Sequence, residues 1–224
     1  MCLRDQKFTG IGSITVSLFI MTSEELNAEL GNIDLFLLDQ ILKGRFKPDM
    51  KILDAGCGEG RNLLYFLKNG YDISALDLDE SAIKMVQMNA RTLGSKVSQD
   101  QFVVGDISSI PFPDNHFHVV NAFSVLHFAE SKKVFLDMTE ELIRVLKKDG
   151  LLLLKMETLT GVKNEVTNEG GGIFKFSDGS LRYLLTEDDF FWIEDIMGIQ
   201  FLEPVKYEIT NFDRSTACLV LKPT

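Results

Sequence analysis

The chain has 224 residues and a formal net charge of −10, with 45% hydrophobic and 25% charged residues, the profile of an ordinary globular protein. That length suits one sizeable α/β domain rather than two, and the acidic balance argues against a polyanionic partner. Nucleic-acid binders carry a basic patch, whereas the Lys/Arg pairs here, Lys132-Lys133 and Lys147-Lys148, read as solvated helix ends. Cys2, Cys57 and Cys218 are odd in number, scattered and without metal-ligand spacing, which points to a reducing, cytoplasmic compartment and to no bound metal.

Taken in chain order, Ile11–Met21 is apolar and follows Arg4 and Lys7, so it imitates a secretory leader. It falls short of the ~20 apolar residues of a membrane span, no small-x-small cleavage site follows, and Asp5 interrupts the basic start. Residues 1–22 are therefore expected to be a weakly ordered extension, with Met21 as an alternative start, and residues 23–224 a single domain. Glu24–Leu42 is predicted as a helix capped by Ser23, with Leu26, Leu30, Ile33, Leu37, Leu38 and Ile41 on one stripe. Lys51–Ala55 is predicted as the first strand, and Arg61–Lys68 as the first crossover helix, ended by Asn69-Gly70. Asp72–Asp77 is the second strand, and Ser81–Leu93 a helix stopped by Gly94, with Met85 and Met88 as core filling. FVVGD gives a third strand and His118–Phe123 a fourth. Val134–Leu146 is a helix burying Val134, Met138, Leu142 and Val145, its last turn carrying Lys147 and Lys148. Gly150 then reverses the chain into Leu151–Lys155, an apolar fifth strand suited to the centre of a parallel sheet.

Glu157–Leu185 is longer than a routine connection and holds a hairpin pattern turning at Asp178-Gly179, so it is expected to be a lid or binding loop. Leu185–Gly198 is predicted as a helix capped by Thr186. Gln200–Thr210 and Thr216–Leu221 close the domain as strands that the short NFDR link forces to be antiparallel. Alternation of strands and helices without internal repeats indicates an α/β fold, a mostly parallel sheet covered on both faces.

Ligands in such sheets sit beyond the carboxyl ends of the strands, so the turn Asp54-Ala55-Gly56-Cys57-Gly58-Glu59-Gly60-Arg61 is the prime location. A dinucleotide site wants G-x-G-x-x-G with a pyrophosphate on the helix N-terminus. Here Arg61 stands where the third glycine belongs, and Glu59 adds like charge near the phosphates. A sulfonium donor fits better: S-adenosylmethionine has no phosphate and carries a positive sulfur. Glycines allow close backbone approach to it, and carboxylates beside the turn are electrostatically welcome. Asp77, about 20 residues on, can accept both ribose hydroxyls. Asp106, after the third strand, can accept from the adenine amino group, with Leu78 and Ile107 flanking the ring. Each acid also has a local reading, as a helix cap or turn residue; three acids at successive strand ends favour the shared one.

LDAGCGEG, ALDLDESAI, VVGDISSIPFPDNHFHVV and LIRVLKKDGLLLL resemble the successive motifs of class I S-adenosylmethionine-dependent methyltransferases over Lys51 to Met156. Within that group, GRNLLYFLKNGYDISALD looks like the tellurite-resistance methyltransferases. The resemblance implies a Rossmann-like three-layer sandwich with a seven-stranded sheet of order 3-2-1-4-5-7-6, the last strand antiparallel. It also implies that Asp54, Gly56 and Gly58 line the methionine pocket, that Asp77 binds the ribose, and that Asp106 and Ile107 hold the adenine. Asn121, on the fourth strand, joins this cofactor-binding set. Arg61 either holds the cofactor carboxylate or is a solvated first-turn residue.

Methyl transfer from a sulfonium is an in-line displacement in which charge disperses, so positioning and exclusion of water supply most of the help. A base matters when the acceptor must lose a proton. In NAFSVLHFAE, His127 is the candidate base, its alternative a packing residue beside Leu126 and Phe128. That segment lacks the Asn/Asp-Pro-Pro-aromatic motif of nucleic-acid amino methyltransferases, which favours a small-molecule acceptor. His116 and His118 precede the fourth strand and face away from the cofactor. Arg182 and Tyr183 on the hairpin either reach an anionic acceptor or simply decorate an exposed strand pair. A binding module without turnover is the alternative function.

Overall fold

The computed structural model describes residues 21–162, 166–195, 197–210 and 214–224. The extension expected over residues 1–22 thus lies outside the described residues up to position 20, as does the closing link at 211–213. The helix expected over Glu24–Leu42 is two helices, α1 (Ser23–Leu30) and α2 (Leu35–Leu42). Gly31 ends the first at φ 61°, its amide donating to the Asn27 carbonyl. Asp34 opens the second, its carboxylate accepting from the Phe36 amide at 2.9 Å, so local capping overrides the continuous apolar stripe. Thr22, rather than Ser23, caps α1 in a reciprocal box with Glu25.

There follow β1 (Lys51–Ala55), α3 (Leu64–Lys68), β2 (Asp72–Asp77), α4 (Glu80–Thr92), β3 (Phe102–Val104), β4 (Phe117–Phe123), α5 (Lys132–Val145) and β5 (Leu146–Glu157). Three short strands, β6 (Thr167–Gly170), β7 (Ile173–Lys175) and β8 (Leu181–Tyr183), form a small antiparallel sheet of their own. The chain closes with α6 (Glu187–Asp195), β9 (Ile199–Phe201), β10 (Lys206–Thr210) and β11 (Arg214–Pro223). The main sheet runs β10-β11-β5-β4-β1-β2-β3, with β9 on the far end of β11. Strands β1 to β5 are parallel to their neighbours, whereas β11 is antiparallel to β5, β9 and β10. This is the expected order, with its sixth strand split into β9 and β10. The split falls at Leu202–Val205, where Pro204 has no amide to donate to a ladder.

Leu53, Val120, Leu152 and Leu154 face α5 and α6 on one side of the sheet; Ile52, Val119 and Leu153 face α2, α3 and α4 on the other. Three local expectations are corrected. Met85 and Met88 are 37% and 52% exposed, because Ala82, Ile83, Val86 and Ala90 already supply the buried face of α4. Helix α5 ends at Val145, so Lys147 and Lys148 lie in the early part of β5, where the Lys147 ammonium sits 2.8 Å from His118 Nε2. Arg61 precedes the crossover helix, which starts at Leu64 after a series of turns. Among the described residues, no helix is long and apolar enough to cross a membrane.

Candidate functional site

The sheet order reverses at β1, which has β2 on one side and β4 on the other, and a crevice is expected at such a switch point. The glycine turn leaves β1 there. The amides of Gly56 and Cys57 both donate to the Leu76 carbonyl, at 2.7 and 3.1 Å. The Gly58 amide donates to Asp77 Oδ2 at 2.8 Å, while the Asp79 amide donates to Asp77 Oδ1 at 2.9 Å. Asp77 is thereby fixed between the ends of two strands. A Cβ on Gly58 would meet nothing within 4 Å, so its backbone faces open space.

That space is a cavity of about 660 Å³, inside the usual range for small-molecule sites. Gly56, Gly58, Asp77, Leu78, Asp106 and Ile107 all line it, joined by Ser124, Val125 and Phe128 from the far side of β4. Six of the predicted residues are thus brought to one cavity. Asp106 also caps the short turn after β3, accepting from the Ser108 amide at 2.8 Å, and Asp79 caps α4 through Ser81. Ser124 and Val125 were missed. Ser124 adopts φ 57°, held by its amide donating to the Lys155 carbonyl at 2.6 Å, and such strain imposed by tertiary contact leaves no local signal.

Asp54, Arg61 and Asn121, also predicted for the cofactor, are not among the residues that line this cavity. The β1–β4 register sets Asp54 and Asn121 side by side, and both are buried. Asp54 Oδ2 and both polar atoms of the Asn121 side chain have no hydrogen-bond partner among the described residues. Burial pushes the Asp54 carboxyl up to about 7, a rise that nearby Asp77 adds to and Arg61 opposes. Arg61 is half exposed and reaches Asp34 Oδ2 at 3.2 Å. Asp34 also receives the buried Lys155 ammonium at 2.9 Å and donates its amide to Asn62 Oδ1 at 3.0 Å. This tie between the glycine turn, α2 and β5 joins residues 121 positions apart, too distant for any spacing rule. Burial raises the Cys57 thiol above its ordinary range, so it is no nucleophile.

His127 is buried, its Nδ1 lacks a hydrogen-bond partner among the described residues, and burial lowers its pKa to about 4. It does not line the cavity; its neighbour Phe128 does, with ring centroids 4.5 Å apart. His116 and His118 lie at the opposite end of β4, where His118 Nδ1 accepts from the Lys51 amide at 2.9 Å. Tyr183 is buried and donates to Asp189 Oδ1 at 2.9 Å, which pins the hairpin to α6 and leaves the phenol unavailable to an acceptor. Arg182 lies over the Phe128 ring, 4.6 Å from its centroid.

Comparison with known proteins places these features in context. The family profile described as a methyltransferase domain matches residues 53–154. A sterol 24-C-methyltransferase of Gibberella zeae is 34% identical over 108 residues, which is 47% of this chain and 27% of that protein. A methyltransferase from Methanosarcina mazei, described as S-adenosylmethionine-dependent, superposes with a TM-score of 0.65 at 22% identity, over 82% of this chain and 97% of that one. The 1,6-didemethyltoxoflavin-N1-methyltransferase of Burkholderia thailandensis was solved with 1,6-didemethyltoxoflavin and S-adenosylhomocysteine bound. It superposes with a TM-score of 0.65 at 17% identity, over 90% of this chain and 82% of that one. At these identities the two structures establish the fold. The matched stretch spans less than half the length of the first curated relatives, 27%, 41% and 37% of them.

Proposed function

We propose that the protein is a class I S-adenosylmethionine-dependent methyltransferase that transfers a methyl group from S-adenosyl-L-methionine to a small-molecule acceptor, a reading supported by the match of residues 53–154 to the methyltransferase-domain profile. The observation that carries this is the cavity where Gly56, Gly58, Asp77, Leu78, Asp106 and Ile107 converge, with the unpartnered carboxylate oxygen of Asp54 two residues before Gly56 in the chain. A buried acid without a partner is costly, and a cationic, phosphate-free donor is the ligand chemistry that suits it.

In this reading Asp54 and Asn121 hold the amino-acid end of the cofactor, with Arg61 toward its carboxylate. Gly56 and Gly58 permit close approach, Asp77 accepts from the ribose hydroxyls, and Asp106, Leu78 and Ile107 hold the adenine. The cofactor supplies a methyl group on a positive sulfur. The chain supplies position and dryness: Val125, Phe128, Val134 and Met138 line the cavity with apolar surface, so water is kept from the reacting centre. We keep His127 as the candidate base on the far side of Phe128, since it does not itself line the cavity; its burial keeps it neutral at physiological pH and makes it a weak base. The net charge of −10 supports a small molecule over a nucleic acid as acceptor, and no membrane is required. Cys57 and Cys218 are unbridged thiols, consistent with the cytoplasm. We read residues 23–224 as one methyltransferase domain with 157–185 as its lid.

Incubation with methyl-labelled S-adenosylmethionine and a metabolite extract tests this. Label is expected in the small-molecule fraction, and His127→Gln is expected to reduce it about tenfold or more with S-adenosylhomocysteine affinity unchanged. Binding without any incorporation would instead favour a non-catalytic module.

A further inference from the structure

Beside the cavity, beneath the hairpin β7–β8, lies a second group of side chains with unmet bonding capacity. Glu157, at the end of β5, is 9% exposed; its Oε1 accepts from Arg214 Nη1 at 2.6 Å, while its Oε2 has no hydrogen-bond partner among the described residues. Arg182, on β8, donates from Nη1 to the Leu181 carbonyl, but its buried Nε has no hydrogen-bond partner among the described residues. The two orphaned atoms are 3.9 Å apart, too far for a hydrogen bond. The unpartnered Nδ1 of His127, 7% exposed, belongs to the same neighbourhood, since the charges it feels are those of Glu157, Arg182 and Arg214. Leaving such groups unmet is costly, and native structures hold few of them. Three gathered in one neighbourhood, behind the Phe128 ring that lines the ligand cavity, point to a bonding partner outside the chain.

The charge balance says what kind. Arg214 already bonds Glu157, Asp178 Oδ2 at 2.8 Å and Ser180 Oγ at 3.1 Å while lying over the Phe176 ring. Two acids, Glu157 and Asp178, thus face two guanidinium groups, Arg182 and Arg214, and burial keeps His127 neutral. Neither an anion nor a cation finds an uncompensated opposite charge. Besides the His127 nitrogen, what is left over among these buried atoms is one acceptor oxygen and one donor nitrogen, 3.9 Å apart. Phe128 joins this group to the cofactor cavity: it lines the cavity, is 58% exposed and touches both His127 and Arg182.

We propose that this cluster is the methyl-acceptor subsite, and that it takes an uncharged planar molecule presenting an N–H or O–H next to a carbonyl oxygen. The N–H or O–H donates to Glu157 Oε2 and the carbonyl accepts from Arg182 Nε, with the ring toward Phe128. The proposal rests on the methyltransferase reading. Arg182 is the member carried by the hairpin, and its long side chain swings off Phe128 to admit the acceptor.

Ligand-observed NMR with 2-pyridone, benzoate and benzylamine, on the free protein and with S-adenosylhomocysteine present, tests it. The wild type is expected to prefer 2-pyridone to both ions, and Arg182→Met to weaken 2-pyridone at least tenfold while S-adenosylhomocysteine affinity by calorimetry stays within twofold. Glu157→Gln leaves an excess positive charge, so the 2-pyridone to benzoate preference is expected to move at least tenfold toward benzoate. Binding of none of the three, wild-type preference for benzoate or benzylamine, or an unchanged preference in Glu157→Gln would overturn the subsite. Failure of the wild type to bind S-adenosylhomocysteine would count against the methyltransferase reading instead, since the 2-pyridone arm is read on the free protein as well.

Discussion

Asp54→Asn is expected to raise the melting temperature of the free protein at pH 8 by roughly 5 °C while weakening S-adenosylhomocysteine at least tenfold. The first half follows from burial. The Asp54 carboxyl titrates near 7 in the fold against an ordinary value of 3.8, so the native state favours its protonated form. Whatever stability that form contributes is complete below about pH 4 and is lost as pH rises toward 7; above 7 the whole cost is borne. A shift of about three units sets a ceiling of about 4 kcal/mol, and relaxation around the site brings the realised gain to about half. For a domain of this size 1 kcal/mol corresponds to roughly 2–4 °C. The second half follows from lost charge, since hydrogen bonds to ionised groups contribute about 1.5–3 kcal/mol. Melting curves between pH 4 and 8 check both the size and the sign: the advantage of the variant should vanish at pH 4. A variant less stable at pH 8, or with unaltered ligand affinity, would remove Asp54 from this role.

Gly56→Ala is expected to lower the melting temperature by about 10 °C, and Gly58→Ala by much less. Both glycines have positive φ, 75° and 52°, so alanine costs about 1–2 kcal/mol at either from the left-handed backbone alone. Only at Gly56 does the new methyl collide: its Cβ would lie 2.5, 2.7 and 2.9 Å from the Cγ2, Cβ and Cγ1 of Val125. Overpacking of this kind adds about 1–3 kcal/mol, and Val125 cannot retreat without moving Ser124, whose amide is tied to Lys155. At Gly58 the methyl meets no protein atom and projects into the cavity, so only the backbone cost is felt, a few degrees of melting temperature, while S-adenosylhomocysteine binding is lost. Thermal melts and calorimetry on both variants distinguish the two. Equal destabilisation would contradict the packing argument.

The features legible in the sequence are those written in short stretches of chain. The apolar run Lys51–Ala55, the glycines after it, and the acids at positions 77 and 106 are each local patterns, and strand periodicity places them at one edge of a parallel sheet. The Asp178-Gly179 turn is equally local: Gly179 adopts φ 83° and its amide donates to the Phe176 carbonyl at 2.9 Å. The break between α1 and α2 was hidden because the apolar stripe runs through it, while Gly31 and Asp34 each reward interruption. Pro204 marked the split of the sixth strand, but the flanking apolar residues outweighed it in the pattern. Of the proposed acceptor subsite, the sequence offers His127 and Arg182 singly but not their meeting with Glu157 and Arg214. His127, Glu157, Arg182 and Arg214 come from four separate segments, and nothing in the spacing of a glutamate on one strand and an arginine on a hairpin says that they will meet. Met85 and Met88 failed in the opposite direction: a helical stripe was read by residue type, and its other face had already filled the core.

The central claim, that the loop leaving β1 receives a cationic donor without phosphate, is tested most directly by thermal stabilisation with S-adenosylhomocysteine and with NAD. A ligand at 100 times its dissociation constant stabilises the native state by about 2.7 kcal/mol, a rise of roughly 5–10 °C for a domain of this length. The account predicts that rise with S-adenosylhomocysteine and none with NAD, because Arg61 occupies the place of the third dinucleotide glycine and Glu59 repels a pyrophosphate. A rise with NAD and none with S-adenosylhomocysteine would contradict it.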